Sequence, residues 1–589
     1  MCGLSAWVCK ESISSNRFNI FNDCVAHRGP DASKIEIFQA EGKNIAFGHK
    51  RLSIIDLDKK SNQPMNCENN KIIFNGEIYN YLELRDELSD LGVKFNTNSD
   101  TEVLIKSYIK WGENCLNKFN GMFAFLIYDE KKHQIFFARD RFGVKPLYYY
   151  RIENSFFFSS EIKQILTLEC YKAEGNINTI GNFIENRYLD YSSETFFKNI
   201  YQIQPGEAGT LNLKNLELRK YKWYDLEKST KTEKTSFLTA FNNSLDLRLR
   251  SDVEIGSFLS GGIDSSAIVY VSDSKISQLK QNNSIKTFTA CFEEKEHDER
   301  ENVKITKEKT SINAKFIFPQ KQNFFEEIKK LIYFQDEPIW STSIYFQSCI
   351  FKEANINKVK VMLDGQGADE IYCGYKDIFY PTYFRSLSFL KKIIEFLNCS
   401  NKLQIIKIIL RNIMIRDKKK TIFNRLYDNK YKNNFKSLKE QTIFFLKFHL
   451  PALLHYEDRN SMQFSIEARL PFLDYKLVEF GFNIPDNEKI SREYGKKIIR
   501  KSLKKIVPDS ILENKVKKGF QGPQIEWLLS YQNEVKNDIK GLLIFDVFNE
   551  AEIKKLLKNF KQNTNNQSLI ARLYFLSVWV KVFNIKKIS

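Results

Sequence analysis

Several features that often reveal a protein's chemistry are missing from this chain of 589 residues. Its ten cysteines form no Cys-x-x-Cys pair and do not cluster with the six histidines, so we expect neither disulfides nor a structural zinc site. No charged start leads into an apolar segment, so a signal peptide is not expected. Lysine interrupts apolar runs such as Thr442–Leu446, which argues against a membrane span. Together these absences predict reduced thiols and a cytoplasmic location.

The net charge of +18 is unevenly distributed along the chain. From Arg385 to Glu440 there are 15 basic and four acidic residues, a net charge of +11. A local basic run of this kind is more often a solvated helix face than a track for phosphates, so we expect no nucleic-acid partner. Basic amphipathic helices also bind anionic membrane surfaces, but we expect these helices to cover the domain that carries them.

Two patterns of predicted elements indicate two domains. Short apolar strands and two helices precede residue 208, which is typical of an α+β layered domain. After residue 234, strands and helices alternate as in an α/β doubly wound parallel sheet with helical additions. A polar, charged stretch lies between them. The sequence therefore predicts domains at 2–208 and 234–589, a linker at 209–233, and a basic helical insert at about 385–440.

The second half contains a glycine-rich turn that could bind phosphate. Residues 258–266 read Phe-Leu-Ser-Gly-Gly-Ile-Asp-Ser-Ser, between an apolar strand and an apolar helix. Such a turn directs backbone N–H groups into one concavity at the positive end of a helix, which suits a phosphate chain. The carboxylate of Asp264 beside phosphates needs a cation, so we predict a Mg²⁺ ligand there. Without the Gly-Lys-Ser/Thr of a Walker loop, transfer of a γ-phosphate is not the expected reaction.

A second turn carries acidic side chains. Residues 364–370 read Asp-Gly-Gln-Gly-Ala-Asp-Glu and follow the predicted strand Val359–Leu363. Because parallel strands end at the same edge of a sheet, Asp369 and Asp264 are expected to share Mg²⁺. The alternatives are an ordinary glycine-rich turn for the first loop and an exposed acidic turn for the second.

The chain opens Met-Cys-Gly. Removal of Met1 would leave Cys2 with an α-amino group whose pKa lies near ~8, next to its own thiol. A thiol beside a built-in base is an activated nucleophile. Four further motifs follow in this half: His-Arg-Gly-Pro-Asp at 27–31, Gly-His-Lys-Arg-Leu-Ser-Ile at 48–54, Asn-Gly-Glu-Ile-Tyr-Asn at 75–80 and Ser-Asp-Thr-Glu at 99–102.

From Cys2 to about Glu161 these motifs resemble class II glutamine amidotransferases, which have the N-terminal nucleophile hydrolase fold. The resemblance implies that Cys2 attacks the side-chain amide of glutamine and releases ammonia. It assigns the oxyanion hole to Asn75 and Gly76. It implies that Arg51 binds the α-carboxylate of glutamine and that Glu77 and Asp100 bind its α-ammonium. Asn75 is also implied to contact the substrate.

The Ser-Gly-Gly loop resembles the ATP pyrophosphatase superfamily, and nearly the whole chain resembles glutamine-hydrolysing asparagine synthetases. That family adenylates the β-carboxylate of aspartate with ATP, releases pyrophosphate and adds ammonia. By this resemblance Lys517 is the catalytic lysine, and a homodimer is implied. The resemblance implies that ATP is bound by Phe258, Ser260, Gly261, Gly262, Asp264, Ser265, Ala290, Asp364 and Gly365.

Two points leave alternatives open. Gln366 stands where the family usually carries an acidic residue, which favours, as an alternative to aspartate, another carboxylate such as a uronic acid of a surface glycan. Glu467 and Arg469 either contact substrate or form a buried structural ion pair.

Ammonia released at Cys2 has to reach the adenylate in the second half without gaining a proton, so we expect an apolar passage between the halves. A tRNA-modifying enzyme and a non-catalytic scaffold are weaker alternatives, because both candidate sites retain their polar residues.

Overall fold

The computed structural model describes residues 2–229, 235–278, 284–294, 298–392, 422–424, 427–428, 434–514, 522–560 and 564–589. Two antiparallel six-stranded sheets form its N-terminal half, in the orders β10-β8-β9-β1-β3-β2 and β12-β11-β7-β6-β5-β4. The strands are β1 (Cys2–Cys9), β2 (Ala32–Ala40), β3 (Lys43–Arg51), β4 (Met65–Cys67), β5 (Asn70–Ile78), β6 (Gly121–Asp129), β7 (Gln134–Arg139), β8 (Tyr148–Ile152), β9 (Ser155–Ser159), β10 (Ile200–Gln202), β11 (Glu207–Asn212) and β12 (Leu218–Lys222).

The two sheets pack face to face. Leu4, Ala6 and Val8 alternate along β1 and lie fully buried against residues of the second sheet such as Ile73. On the opposite face of β1, Trp7 meets Phe18 of a flanking helix with ring centroids 5.4 Å apart. The result is a helix–sheet–sheet–helix arrangement, which confirms the predicted α+β layers. Its helices are Ser15–Asp23, Tyr81–Asp90, Asp100–Trp111, Cys115–Lys118, Ile162–Leu166 and Ile177–Asn186.

The second sheet extends further along the chain than the sequence predicted. Strand β11 pairs with β7, and β12 pairs with β11 as far as Lys222. Residues 209–222 therefore belong to a β-ladder, and the predicted linker 209–233 begins too early. The sequence of β12 is polar and charged, as in a linker, because the strand lies at the sheet edge, where its residues are largely exposed.

The C-terminal half contains one parallel five-stranded sheet in the order β15-β14-β13-β16-β17. From β13 the chain winds one way through β14 to β15, then returns to add β16 and β17 on the other side. This order confirms the doubly wound prediction and puts its switch point between β13 and β16, where such sheets bind ligands. The strands are β13 (Ile255–Phe258), β14 (Lys286–Ala290), β15 (Asn313–Ile317), β16 (Val361–Leu363) and β17 (Glu467–Arg469).

Helices surround this sheet and continue to the C-terminus. None of the helices among the described residues is long and apolar enough to cross a membrane. Most of the basic insert 385–440 lies outside the described residues. The helices are Phe237–Arg248, Ile263–Gln278, Arg300–Glu308, Lys321–Gln335, Ser343–Ile356, Ala368–Ile371, Lys376–Ser386, Leu438–Phe448, Leu450–Gln463, Tyr475–Asn483, Asp486–Lys489, Lys497–Ser502, Asp509–Leu512, Gln524–Ser530, Gln532–Lys540, Glu550–Lys558 and Thr564–Val582.

The two halves meet through buried ion pairs. The fully buried guanidinium of Arg28 donates from Nη1 to Asp458 Oδ2 and to Glu161 Oε1, both at 2.8 Å. Lys145 approaches the same Asp458 carboxylate at 3.5 Å. Arg28 therefore connects the antiparallel sheets to the helix Leu450–Gln463 of the other half.

An apolar cluster crosses the same junction. It contains Leu52 and Val144 from the first half together with Leu363, Leu454 and Met462 from the second. Arg28, Glu161 and Asp458 are themselves buried, and in such surroundings the attraction between charges is stronger than in water.

Replacing Arg28 tests how strongly this junction depends on its charges. Arg28→Met would take one cation from the buried carboxylates of Asp458 and Glu161, which keep Arg459 and Lys163 as partners, so the loss should lie at the low end of the ~3–5 kcal/mol typical of breaking a buried pair. We expect the thermal unfolding midpoint, measured by calorimetry, to fall by several degrees. The matched control is Arg219→Met, which removes a pair to Glu217 whose arginine side chain is 74% exposed and should leave the midpoint nearly unchanged. Equal, small effects of the two variants would contradict this account.

Candidate active sites

The first site forms around the start of β1. Cys2 pairs with Arg51 across the ladder and is 6% exposed. Its backbone nitrogen, which would be the α-amino nitrogen after removal of Met1, donates to Asn75 Oδ1 at 3.0 Å. Its carbonyl oxygen accepts from Arg28 Nε at 3.0 Å. Cys2 is therefore fixed from both sides, and the structure brings it together with Arg51 and Asn75.

Asn75 and Gly76, the predicted oxyanion donors, lie next to Cys2, and their role remains a prediction. Because Asn75 Oδ1 accepts from Cys2, the amide orientation is fixed, and Nδ2 is buried without a hydrogen-bond partner among the described residues. Gly76 has a φ of +149°, and a Cβ there would lie 2.1 Å from the carbonyl oxygen of Met122. Only glycine fits at this position. An unused amide donor beside the thiol is what an oxyanion hole requires.

His49 is a member of this site that the sequence did not single out. Its Nε2 lies 2.9 Å from the carbonyl oxygen of Phe74, so Nε2 carries a proton, and Nδ1 is buried without a hydrogen-bond partner among the described residues. Burial alone would raise the pKa of the Cys2 thiol, but the imidazole and neighbouring positive charge outweigh burial and lower it to about 7. Cys2 is therefore partly ionised at neutral pH, which is the state that a nucleophile needs.

An open cavity adjoins Cys2. Arg51 lies in its wall, but its two Nη atoms already donate to the loop that follows, including the carbonyl of Asp58 at 2.8 Å and Asn62 Oδ1 at 2.9 Å. Its role in holding a carboxylate remains a prediction. The cavity is lined by Cys2, Arg51, Leu52, Ile54, Ile55, Gln63, Phe74, Gly76, Glu77, Ser99, Asp100 and Thr101.

The acidic wall of this cavity, formed by Glu77 and Asp100, packs against side chains of the other half. Burial, and then the charges of Asp100 and Glu467, raise the pKa of Glu77 well above its usual value. Burial likewise raises the pKa of Asp100 to about 6. Arg469 Nη2 lies 3.8 Å from Glu77 Oε2, and its Nε pairs with Glu467 at 2.5 Å. The predicted ion pair of Glu467 and Arg469 is thus buried, and it contacts the acidic wall rather than the helical region alone.

A variant of His49 would test its effect on the thiol. In His49→Ala the pKa of Cys2 should return toward the ordinary value near ~8.5, which lowers the thiolate fraction at pH 7 on the order of tenfold. We expect a matching fall in the rate of iodoacetamide labelling, followed by mass spectrometry of the N-terminal peptide. Exposed Cys170 in the same molecule is the internal control and should label at an unchanged rate. An unchanged labelling profile for Cys2 would show that His49 does not tune it.

The second site lies at the switch point of the parallel sheet. Strand β13 leads into the Ser260–Gly262 turn, and the helix Ile263–Gln278 follows at once. Gly261 has a φ of +68°, and Ser265 Oγ accepts from the backbone nitrogen of Ser260 at 3.1 Å. This arrangement matches the predicted phosphate-binding turn at a helix N-terminus.

The two glycine-bearing turns touch each other. A Cβ on Gly365 would lie 2.9 Å from the Cβ of Asp264, so the glycine permits this approach. Phe258 and Ala290, two of the predicted ATP contacts, are buried at the ends of the adjacent strands β13 and β14. The structure therefore brings the predicted nucleotide-binding residues to one edge of the sheet.

Lys496 joins the two acidic turns and was not predicted from the sequence. Its ammonium contacts Asp369 Oδ1 at 2.6 Å and also pairs with Asp264. Burial disfavours the ammonium, but these two carboxylates outweigh that effect and raise the pKa of Lys496. A Cβ on Gly374 would collide with the Asp369 carboxylate, so this neighbour has to be glycine.

The chemistry of this group fits a divalent ion. Asp264 and Asp369 supply the hard carboxylate oxygens that Mg²⁺ prefers, and both are held at one point by an existing positive charge. Their role as Mg²⁺ ligands remains a prediction. Lys517, predicted as the catalytic lysine, lies outside the described residues, so Lys496 is the lysine that the structure places at this site.

Comparison with known proteins agrees with this two-site organisation. Residues 1–223 match the model of a glutamine amidotransferase domain, and residues 236–581 match the asparagine synthase model. The chain belongs to the asparagine synthetase family. Its N-terminal half accordingly has the N-terminal nucleophile hydrolase fold that the motifs predicted.

Relatives in this family match over most of their length. The glutamine-hydrolysing asparagine synthetase 1 of Bacillus subtilis is 31% identical, with 96% of this chain and 93% of the relative covered. Asparagine synthetase 3 of the same organism is 28% identical over 99% of both chains. A putative asparagine synthetase 2 of Methanocaldococcus jannaschii is 34% identical over 64% of this chain and 76% of its own.

Proposed function

We propose that this chain is a glutamine-hydrolysing asparagine synthetase that uses ATP and Mg²⁺ to convert aspartate to asparagine. The observation that carries the proposal is the presence, in one chain, of a fixed N-terminal thiol and of a switch-point nucleotide site, with a buried junction between them. Each site contains the groups that one half of the reaction requires.

At the first site Cys2 is the nucleophile. Its thiolate attacks the side-chain carbonyl of glutamine, and the Asn75 amide donates to the oxygen that becomes negative. Asp100 and Glu77 accept the substrate α-ammonium, whose positive charge offsets the repulsion between these carboxylates. His49 and the α-amino group of mature Cys2 are the groups positioned to take and return the proton.

At the second site the substrates are ATP and a carboxylic acid. The Ser260–Gly262 turn would bind the pyrophosphate portion, and Lys496 would place its ammonium on the phosphates as the acyl-adenylate forms. Magnesium, held by Asp264 and Asp369, would neutralise charge on the departing pyrophosphate. The apolar cluster around Leu52 and Leu454 is the proposed route for ammonia, since it joins the cavity wall to the second half.

Aspartate is the acceptor that the named relatives favour over a uronic acid. The closing test supplies glutamine, ATP and Mg²⁺ with aspartate or glucuronic acid, and detects amide products by mass spectrometry. We expect asparagine, AMP and pyrophosphate from aspartate. A product from glucuronic acid alone would contradict the proposal.

The two-site division is tested by Cys2→Ala. Without the thiol, glutamine-dependent synthesis should fall to background, while synthesis from ammonium chloride continues because the second site is intact. Cys170→Ala, which changes an exposed cysteine, is the matched control and should retain both activities. Equal loss of both activities in folded Cys2→Ala protein would count against separate sites.

A further inference from the structure

Three buried side chains that the mechanism above does not use meet at the junction between the two halves. Asp190 belongs to the first half, and Glu337 and His455 belong to the second. Each is at most 6% exposed, and one ligand atom from each lies within 4.8 Å of the other two. Asp190 and His455 are 265 residues apart in the chain, so the spacing of histidines and acidic residues could not indicate this cluster.

The imidazole of His455 is oriented as in a metal ligand. Its Nε2 lies 2.8 Å from the carbonyl oxygen of Gln335, so Nε2 carries a proton. Nδ1 faces Asp190 Oδ2 at 2.9 Å, and a proton or a metal ion has to lie between these two acceptors. Histidines that bind metals typically donate their other ring N–H to a backbone carbonyl or a carboxylate, as His455 does here.

Both carboxylates are held through one oxygen and direct the other toward the imidazole. Asp190 Oδ1 accepts from Gln202 Nε2 at 3.1 Å, and Glu337 Oε1 accepts from the backbone N–H of Phe196 at 2.9 Å. Glu337 is 0% exposed, and its Oε2 has no hydrogen-bond partner among the described residues. That oxygen lies 4.0 Å from His455 Nδ1. All three groups are therefore fixed by outer contacts, and their remaining atoms converge.

A proton on Nδ1 would leave this cluster incompletely paired. An imidazolium would donate to Asp190 at 2.9 Å, but Glu337 Oε2 at 4.0 Å is too far away to accept a hydrogen bond from the same nitrogen. A buried carboxylate oxygen that has neither a donor nor a cation is costly. A divalent ion between the three atoms would contact all of them and balance both negative charges.

Two arginines in the wall of the adjoining small cavity, Arg139 and Arg459, are engaged with other acceptors. Arg139 directs each guanidinium nitrogen to a backbone carbonyl, such as that of Gly143 at 2.8 Å. Arg459 donates from Nη1 to Asp458 at 2.9 Å and from Nη2 to the Tyr148 hydroxyl at 3.1 Å. Since Arg459 is paired with Asp458, much of its charge is balanced there rather than at the cluster.

We propose that Asp190 Oδ2, Glu337 Oε2 and His455 Nδ1 bind a divalent metal ion, best Zn²⁺, that joins the two halves of the protein. Zinc accepts imidazole nitrogen and carboxylate oxygen at about 2.0–2.2 Å, which puts neighbouring ligand atoms about 3.0–3.5 Å apart. The distances of 2.9 and 4.0 Å from Nδ1 lie on either side of that range. This site shares no residue with the Mg²⁺ ligands proposed above, Asp264 and Asp369, and unlike them it includes a nitrogen.

The test measures zinc bound to the full-length protein. Protein stripped with EDTA is dialysed against micromolar Zn²⁺ in the presence of excess Mg²⁺, which occupies sites that have only oxygen ligands. Bound zinc is then counted by plasma mass spectrometry. We expect about one equivalent of zinc per chain at this site. Because an ion that binds only the folded state stabilises it, the thermal unfolding midpoint should rise by several degrees above that of stripped protein.

Two variants remove one ligand each and keep its outer contact. Glu337→Gln retains an oxygen for the Phe196 N–H, and His455→Gln retains an N–H at the position of Nε2. Each should weaken zinc binding by more than the about 10–100-fold that loss of an outer contact costs, and should abolish the zinc-dependent rise in the midpoint. His133→Gln is the matched control. It removes a half-exposed imidazole that pairs with Glu41, and it should retain both the zinc and the rise.

Equal zinc content in wild type and both ligand variants, or a wild-type midpoint that does not respond to zinc, would overturn the inference. The cluster would then be a buried imidazolium paired with Asp190. X-ray absorption at the zinc edge of the wild-type protein is a second measurement that depends on no variant. An imidazole nitrogen with oxygen neighbours supports the site, whereas sulfur neighbours would place the zinc on cysteines and contradict it.

Discussion

The buried guanidinium of Arg28 is the interaction on which the two-site arrangement depends. It contacts the backbone of the nucleophile through Cys2 O, a carboxylate of its own half through Glu161, and a carboxylate of the other half through Asp458. A charge in a water-free junction is stable only with such partners. The position of the thiol and the docking of the two halves are therefore determined by the same side chain.

Both sites place carboxylates together beside a cation. Glu77 lies close to Asp100 and 3.8 Å from Arg469, and Asp264 and Asp369 both pair with Lys496. Such groups are costly to bury in the absence of a ligand, and they suit positively charged ligands such as a substrate ammonium or a divalent ion. These electrostatics agree with the ligands proposed for the two sites.

Contiguous motifs could be interpreted directly from the sequence. The Ser-Gly-Gly turn, the acidic turn at 364–370 and the Cys2 start each carry their chemistry within a few residues, and strand alternation predicted both layer types. His49 and Lys496 could not be found in this way. Lys496 meets Asp264 across 232 residues of chain, and nothing local to either residue indicates that contact.

Short and polar strands were missed for a related reason. Strand β17 has only three residues, Glu467–Arg469, with charged ends that no hydrophobic pattern would identify. It is a strand because the β16 ladder and the burial of the Arg469–Glu467 pair hold it there. Tertiary contacts outweigh local preference at this edge of the sheet.

The most direct measurement of the central claim follows nitrogen from one site to the other. Glutamine labelled with ¹⁵N in its side-chain amide would be supplied with ATP, Mg²⁺ and aspartate in the presence of excess unlabelled ammonium, at a pH where free ammonia is scarce. Transfer through the buried junction predicts asparagine that keeps the ¹⁵N label at nearly the enrichment of the glutamine. Product whose label matches the bulk ammonium pool would contradict an internal connection between the two sites.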